Sequence, residues 1–90
     1  MAKLKQTFHN PGDAPIFINL ELSTSRFRLD PGEELILFYD PSDRPVDEHG
    51  AALRIAMIQG ADGPELVVWT AEEEMFFPSG ETAPKNYDRA

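Results

Sequence analysis

Asp40, Asp43, Asp47, Glu48 and His49 lie within DPSDRPVDEHG, residues 40–50, the densest run of acid–base and ligating groups in the chain. Carboxylate oxygens with an imidazole are the donors a divalent cation takes, so Asp43, Asp47, Glu48 and His49 are the candidate metal ligands. Calcium loops, however, need oxygen donors at alternate positions around a glycine turn. Pro41 and Pro45 break that alternation, and a transition metal wants a second histidine or a cysteine close by. The stretch is therefore expected to be a solvated, proline-broken crossing between strands. Connections of about ten residues carry binding functions more often than short ones, so a ligand- or metal-binding role for this loop stays open.

The remaining reactive groups do not assemble into a catalytic pattern. His9 and His49 are the only histidines, and Ser23, Ser25, Ser42 and Ser79 sit in turn-like surroundings without a G-x-S-x-G elbow. Glu33–Glu34, Asp47–Glu48 and Glu72–Glu73–Glu74 are neighbouring acids, whereas glycoside hydrolysis needs two carboxyls across a cleft with pKa values driven apart. The six glycines are scattered singly, so no phosphate-cradling loop is present. The chain is read as a non-enzyme without a cofactor.

With 90 residues the chain makes one domain, and 41% hydrophobic with 27% charged residues is a folding composition. It has no cysteine, which removes disulfides, thiol chemistry and Cys-type metal centres from this chain. Apolar runs such as LILFY and LVVW are too short to cross a bilayer as a helix, and MAKLKQTFHN has no apolar stretch behind its lysines. A cytoplasmic location away from membranes is the expectation. Net charge is −8: residues 1–30 balance at +1, while residues 31–90 carry thirteen acids against four bases, −9. Such a surface repels phosphate backbones, so nucleic-acid binding is disfavoured. It suits solubility, or alternatively a small acidic inhibitor or nucleic-acid mimic of the kind phages use against host defences.

The apolar period is mostly that of strands. In IFINLELS, Ile16, Ile18, Leu20 and Leu22 alternate with Phe17, Asn19, Glu21 and Ser23, the pattern of a half-buried strand. QTFHN before it reads as another strand, and NPGDAP between them is a turn. In RFRLDPGEELILFYD the DPGE segment has proline and glycine where a type II turn wants them, which predicts a hairpin across residues 26–39. A second hairpin is expected across 52–70, although AALRIAMIQ (51–59) also suits a helix. TAEEEMFF (70–77) carries capping-box spacing from Thr70 to Glu73 and reads as a short helix or a final strand. Residues 1–78 form the expected β domain and 79–90 a mobile tail. The sum is an all-β fold, a small antiparallel β-sandwich or partly open barrel of six to seven short strands, with room for one short helix.

FHNPGDAPIFINLELS, RFRLDPGEE and FYDP, spanning residues 8–41, resemble immunoglobulin-like sandwich modules, in which an Asn-x-Gly turn precedes a Pro-led strand and a Leu-x-Pro-Gly-Glu turn follows. The rest of the chain lacks a tyrosine corner and a Cys–Trp–Cys arrangement. The resemblance implies a binding or assembly module rather than an enzyme.

ELILFY and ELVVWT are apolar on both faces, more than one small sheet readily hides. Ile36, Phe38, Val67, Trp69 and Phe76 are accordingly the expected interaction surface. The function expected is contact with protein, either further copies of this chain in a homo-oligomer or another partner.

Overall fold

The computed structural model describes residues 3–21, 23–42, 45–46, 48–61 and 63–85. Six strands appear among them: β1 (Leu4–His9), β2 (Ile16–Glu21), β3 (Ser25–Leu29), β4 (Glu34–Tyr39), β5 (Arg54–Gly60) and β6 (Gly63–Trp69). They form two sheets, one ordered β1-β4 and the other β3-β2-β6-β5. The all-β expectation holds. Residues 51–59, ambiguous in sequence, are mostly strand, because β5 pairs antiparallel with β6 from Arg54↔Trp69 to Gly60↔Gly63.

The two sheets face each other across an apolar core. Ile18 and Leu20 of β2 lie beside Phe27 of β3 and Val68 of β6, and Leu35 and Leu37 of β4 with Phe8 of β1 close the core from the other sheet. Each side chain of this size, fully removed from water, contributes on the order of 1.5–3 kcal/mol before the cost of ordering it.

Three sequence expectations are corrected by the tertiary arrangement. Residues 26–39 are not a hairpin: β3 pairs with β2 and β4 pairs with β1, so the DPGE turn carries the chain from one sheet to the other. Its local chemistry is as expected, with Gly32 at φ 79° and the Glu33 amide donating to the Asp30 carbonyl at 2.9 Å. What prevents the hairpin is competition from β1, whose continuation takes the turn: Gly32 N donates to Asn10 O at 2.7 Å and Asn10 N to Glu33 O at 3.2 Å. NPGDAP makes the matching crossing from β1 to β2.

The sandwich is also not wholly antiparallel, since β2 and β6 run parallel from Phe17↔Glu65 to Glu21↔Trp69. A parallel neighbour must come from a strand remote in sequence, and alternation within a strand carries no information about direction.

Finally, residues 79–85 are part of the domain rather than a mobile tail. Thr70–Phe77 is neither helix nor regular strand; Phe76 exchanges backbone bonds with Ile36 at 2.7 and 2.9 Å, on β4's far side from β1. The chain turns back through Gly80 (φ 97°), Thr82 bridges Phe76, and Ala83 donates to Met75 O at 2.8 Å with both residues buried in the core. Residues 86–90 of the expected tail lie outside the described residues.

Candidate functional site

The acidic stretch is placed only in part. Asp43 and Asp47 lie outside the described residues. Glu48 and His49 are 88% and 81% exposed, with His49 Nε2 3.7 Å from Glu48 Oε1, a spacing solvent leaves weak. Among the described residues no group of three metal-ligating side chains comes together. Asp40 closes a local turn, where its Oδ1 accepts from the Ser42 amide at 2.8 Å and from the Ser42 hydroxyl at 2.7 Å. The Ser42 hydroxyl, then the Ser42 amide, hold the Asp40 carboxyl below its usual 3.8, with a smaller contribution from Lys3.

The apolar surface expected from sequence is distributed differently in the fold. Ile36 is buried beside Phe76, and Val67 is buried on the outer face of the four-stranded sheet. Long polar side chains make that second burial possible. Across this outer face the Arg26 guanidinium stands 4.2 Å over the Phe17 ring and that of Arg54 5.2 Å over Trp69. Asn19 Nδ2 donates to Glu65 Oε1 at 2.7 Å, and Arg26 lies 3.4 Å from Glu65 Oε2. The aliphatic stems of such residues cover apolar surface, so the face needs no second layer to hide Val67. Trp69 is half-buried under Arg54. Phe38 and Phe76 meet edge to face at 5.7 Å, at the floor of a recess of about 350 Å³ whose wall includes Lys3, Ala71 and Glu72–Glu74. Lys3 Nζ is 3.1 Å from Glu72 Oε1 there, so the recess already holds an ammonium of its own chain.

Phe38 is 37% exposed at this recess; the other exposed large apolar residues lie elsewhere, along one side of the sandwich. On β5, Met57 is 74% exposed, Ile58 46% and Ile55 41%. Register places Ile55 and Met57 opposite Val68 and Leu66, hence on the face directed at the core, and Ile58 opposite Glu65 on the outer face. β5 is therefore the strand left uncovered on both faces. The cause is the mismatch of layers: four strands in one sheet overhang the two of the other, and the overhang falls on β5. A groove of about 350 Å³ opens at this margin, walled by His9 at the end of β1, by Asn10 and Pro11 after it, and by Ile16, Met57, Pro64 and Leu66. The groove puts β1 and β5, both edge strands, on the same side of the molecule, where Leu4 of β1 is also exposed.

Proteins commonly blunt edge strands with prolines, lysines, inward charges or bulges. Arg54–Gly60 reads RIAMIQG, with no proline and a single charge at its first residue. No signal in the sequence marked this strand, because its alternation is that of any half-buried one; only its place at the end of the sheet order exposes it. No protein-family model, curated protein or solved structure matches the chain. The immunoglobulin-like resemblance of residues 8–41 thus rests on its turn residues alone.

Proposed function

We infer that the protein is a non-enzymatic assembly module that works by contact with protein, associating with further copies of itself through the open β1/β5 side. The observation that carries this reading is β5, an unblunted edge strand with apolar side chains exposed on both faces. A strand of this kind offers free backbone donors and acceptors to an added strand, and alternate side chains set what it accepts. Charge supports the same place: with a net charge of −8, copies repel one another over most of their surface, and residues 50–60 contain Arg54 and no acid.

The size of the contact sets its strength. Seven residues at about 3.4 Å each make an edge about 24 Å long; taken about 10 Å deep, it offers roughly 240 Å² per copy. Stable complexes bury about 800 Å² per partner, so association is expected to be reversible and micromolar or weaker. Sedimentation velocity over a concentration series tests it. The wild type should shift to a larger species, and Met57→Glu should shift that transition at least tenfold upward in concentration with an unchanged melting temperature. A wild type that stays monomeric to about 1 mM, a concentration at which even a binding free energy of only about 4 kcal/mol half-fills a site, overturns the reading.

A further inference from the structure

We propose that two copies join by antiparallel pairing of their β5 strands about a two-fold axis at Met57, giving one continuous eight-stranded sheet. This rests on the self-association reading above and specifies its geometry.

Three features lead to this register. An antiparallel pair related by a two-fold axis perpendicular to the sheet keeps like faces together, so only registers that match residues of the same parity are allowed. A two-fold at Met57 sets Met57 against its counterpart and Ile55 against Gln59 of the other copy. Ile55 thereby comes to the groove margin formed by Pro64, Leu66 and Met57, and the second copy supplies the apolar cover that the overhang lacks.

The outer face selects among the allowed registers. The same two-fold sets Arg54 against Gly60 of the other copy. Gly60 has no side chain, and the space above it is filled by the Glu65 carboxylate, which would overlap any Cβ placed there. Arg54 of each copy thus arrives across from the carboxylate that covers Gly60 of the other, one strand spacing of about 4.8 Å away and within reach of an arginine. The pairing forms two symmetric Arg54–Glu65 contacts at once. Shifting the register by two residues in either direction sets Arg54 against Ile58, or carries it past Gly60 beyond the end of the strand, and loses both contacts.

The chain contains no cysteine, so single-cysteine variants report proximity without background. Met57→Cys, at an exposed position, and Ser79→Cys, on the side away from β1 and β5, are treated with a short bis-maleimide at concentrations where the wild type associates. The expected result is a cross-linked dimer for Met57→Cys and none for Ser79→Cys. Arg54→Glu should weaken association by about tenfold or more, since it sets like charges together at both symmetric contacts. Association that survives Arg54→Glu unchanged, or that leaves Met57→Cys unlinked, overturns the two-fold geometry. If Met57→Glu still abolishes that association, the open-edge reading stands without it. A strictly monomeric wild type overturns both.

Discussion

Asn10 Nδ2 donates to the Leu29 carbonyl at 3.0 Å, a buried bond between residues nineteen apart. The same nitrogen donates to Ala14 O at 2.8 Å, and the Asn10 Oδ1 accepts from Gly12 N at 3.0 Å. With its backbone bonded to Gly32 and Glu33, Asn10 fastens both crossings between the sheets at one end of the sandwich. Asn10→Ala leaves two carbonyls without this donor. An unsatisfied buried partner costs about 1–3 kcal/mol beyond the bond itself, so a loss of about 2–4 kcal/mol is expected by urea denaturation. Asn10→Asp keeps the acceptor and loses the donors, and should cost at least as much near neutral pH. A loss under about 0.5 kcal/mol for both, the size of an ordinary surface substitution, would contradict the assignment.

Gly60 and Glu65 form a second pair whose substitutions should couple. A methyl at position 60 displaces a carboxylate held by Asn19 and Arg26. Gly60→Ala is expected to cost about 1–2 kcal/mol, the range of overpacking at a filled site. In Glu65→Ala the space is vacant, so the second substitution should be nearly neutral. Thermal denaturation of the four-member cycle gives the coupling; additive effects would mean that the carboxylate does not fill that space.

Thr24 sits at φ 58° in the turn between β2 and β3, a left-handed conformation that a β-branched residue adopts at a cost. Thr24→Gly relieves it, offset in part by loss of the Thr24 hydroxyl bond to Ser23 O at 2.6 Å. The net expectation is a gain of about 0.5–1 kcal/mol, a rise of several degrees in melting temperature. A lower melting temperature would show that the hydroxyl matters more than the backbone strain.

Ending the chain after Pro78 should be damaging. It removes Ala83 from the core, the Ala83–Met75 and Phe77–Glu81 backbone bonds of 2.8 Å, and the bridge from Thr82 to Phe76. At about 1 kcal/mol per bond, plus the exposure of Met75, the loss should be about 2–4 kcal/mol. Hydrogen exchange at Ile36, whose amide donates to Phe76 O, should accelerate in the truncated chain. Unchanged stability would return residues 79–85 to the status of a tail.

Asp40 gives a pH dependence of known sign. Its folded-state pKa lies below the usual 3.8, so its contribution is present above that value and is lost as pH falls through the folded pKa. A carboxyl-detected NMR titration should place the Asp40 midpoint below 3.8, and Ser42→Ala should move it upward by removing the hydroxyl, the larger of the two Ser42 contributions. A midpoint unmoved by Ser42→Ala would contradict the turn geometry.

The local content of the chain was legible in its residues. Alternation in IFINLE and in RFRL marked strands that bury Ile18, Leu20, Phe27 and Leu29, and Pro31–Gly32 marked a turn with positive φ at the glycine. These features depend on sterics and side-chain period within a few residues, which the sequence carries directly. Which strands become neighbours is decided elsewhere. A DPGE turn can join hairpin partners or two sheets, and Asn10, far earlier in the chain, settles it by taking the Gly32 amide. Burial of apolar outer faces was likewise set at a distance, Val67 on a face where Asn19 and Arg26 of other strands hold Glu65, and Ile36 beside the returning Phe76. The candidate surface followed from the same cause. Composition marked an excess of apolar strand, but β5 is exposed only because it ends a four-stranded sheet that overhangs a narrower one. Strand order is a property of long-range pairing, where many arrangements satisfy the same local period and only the complete set of packed faces and satisfied backbone groups selects one.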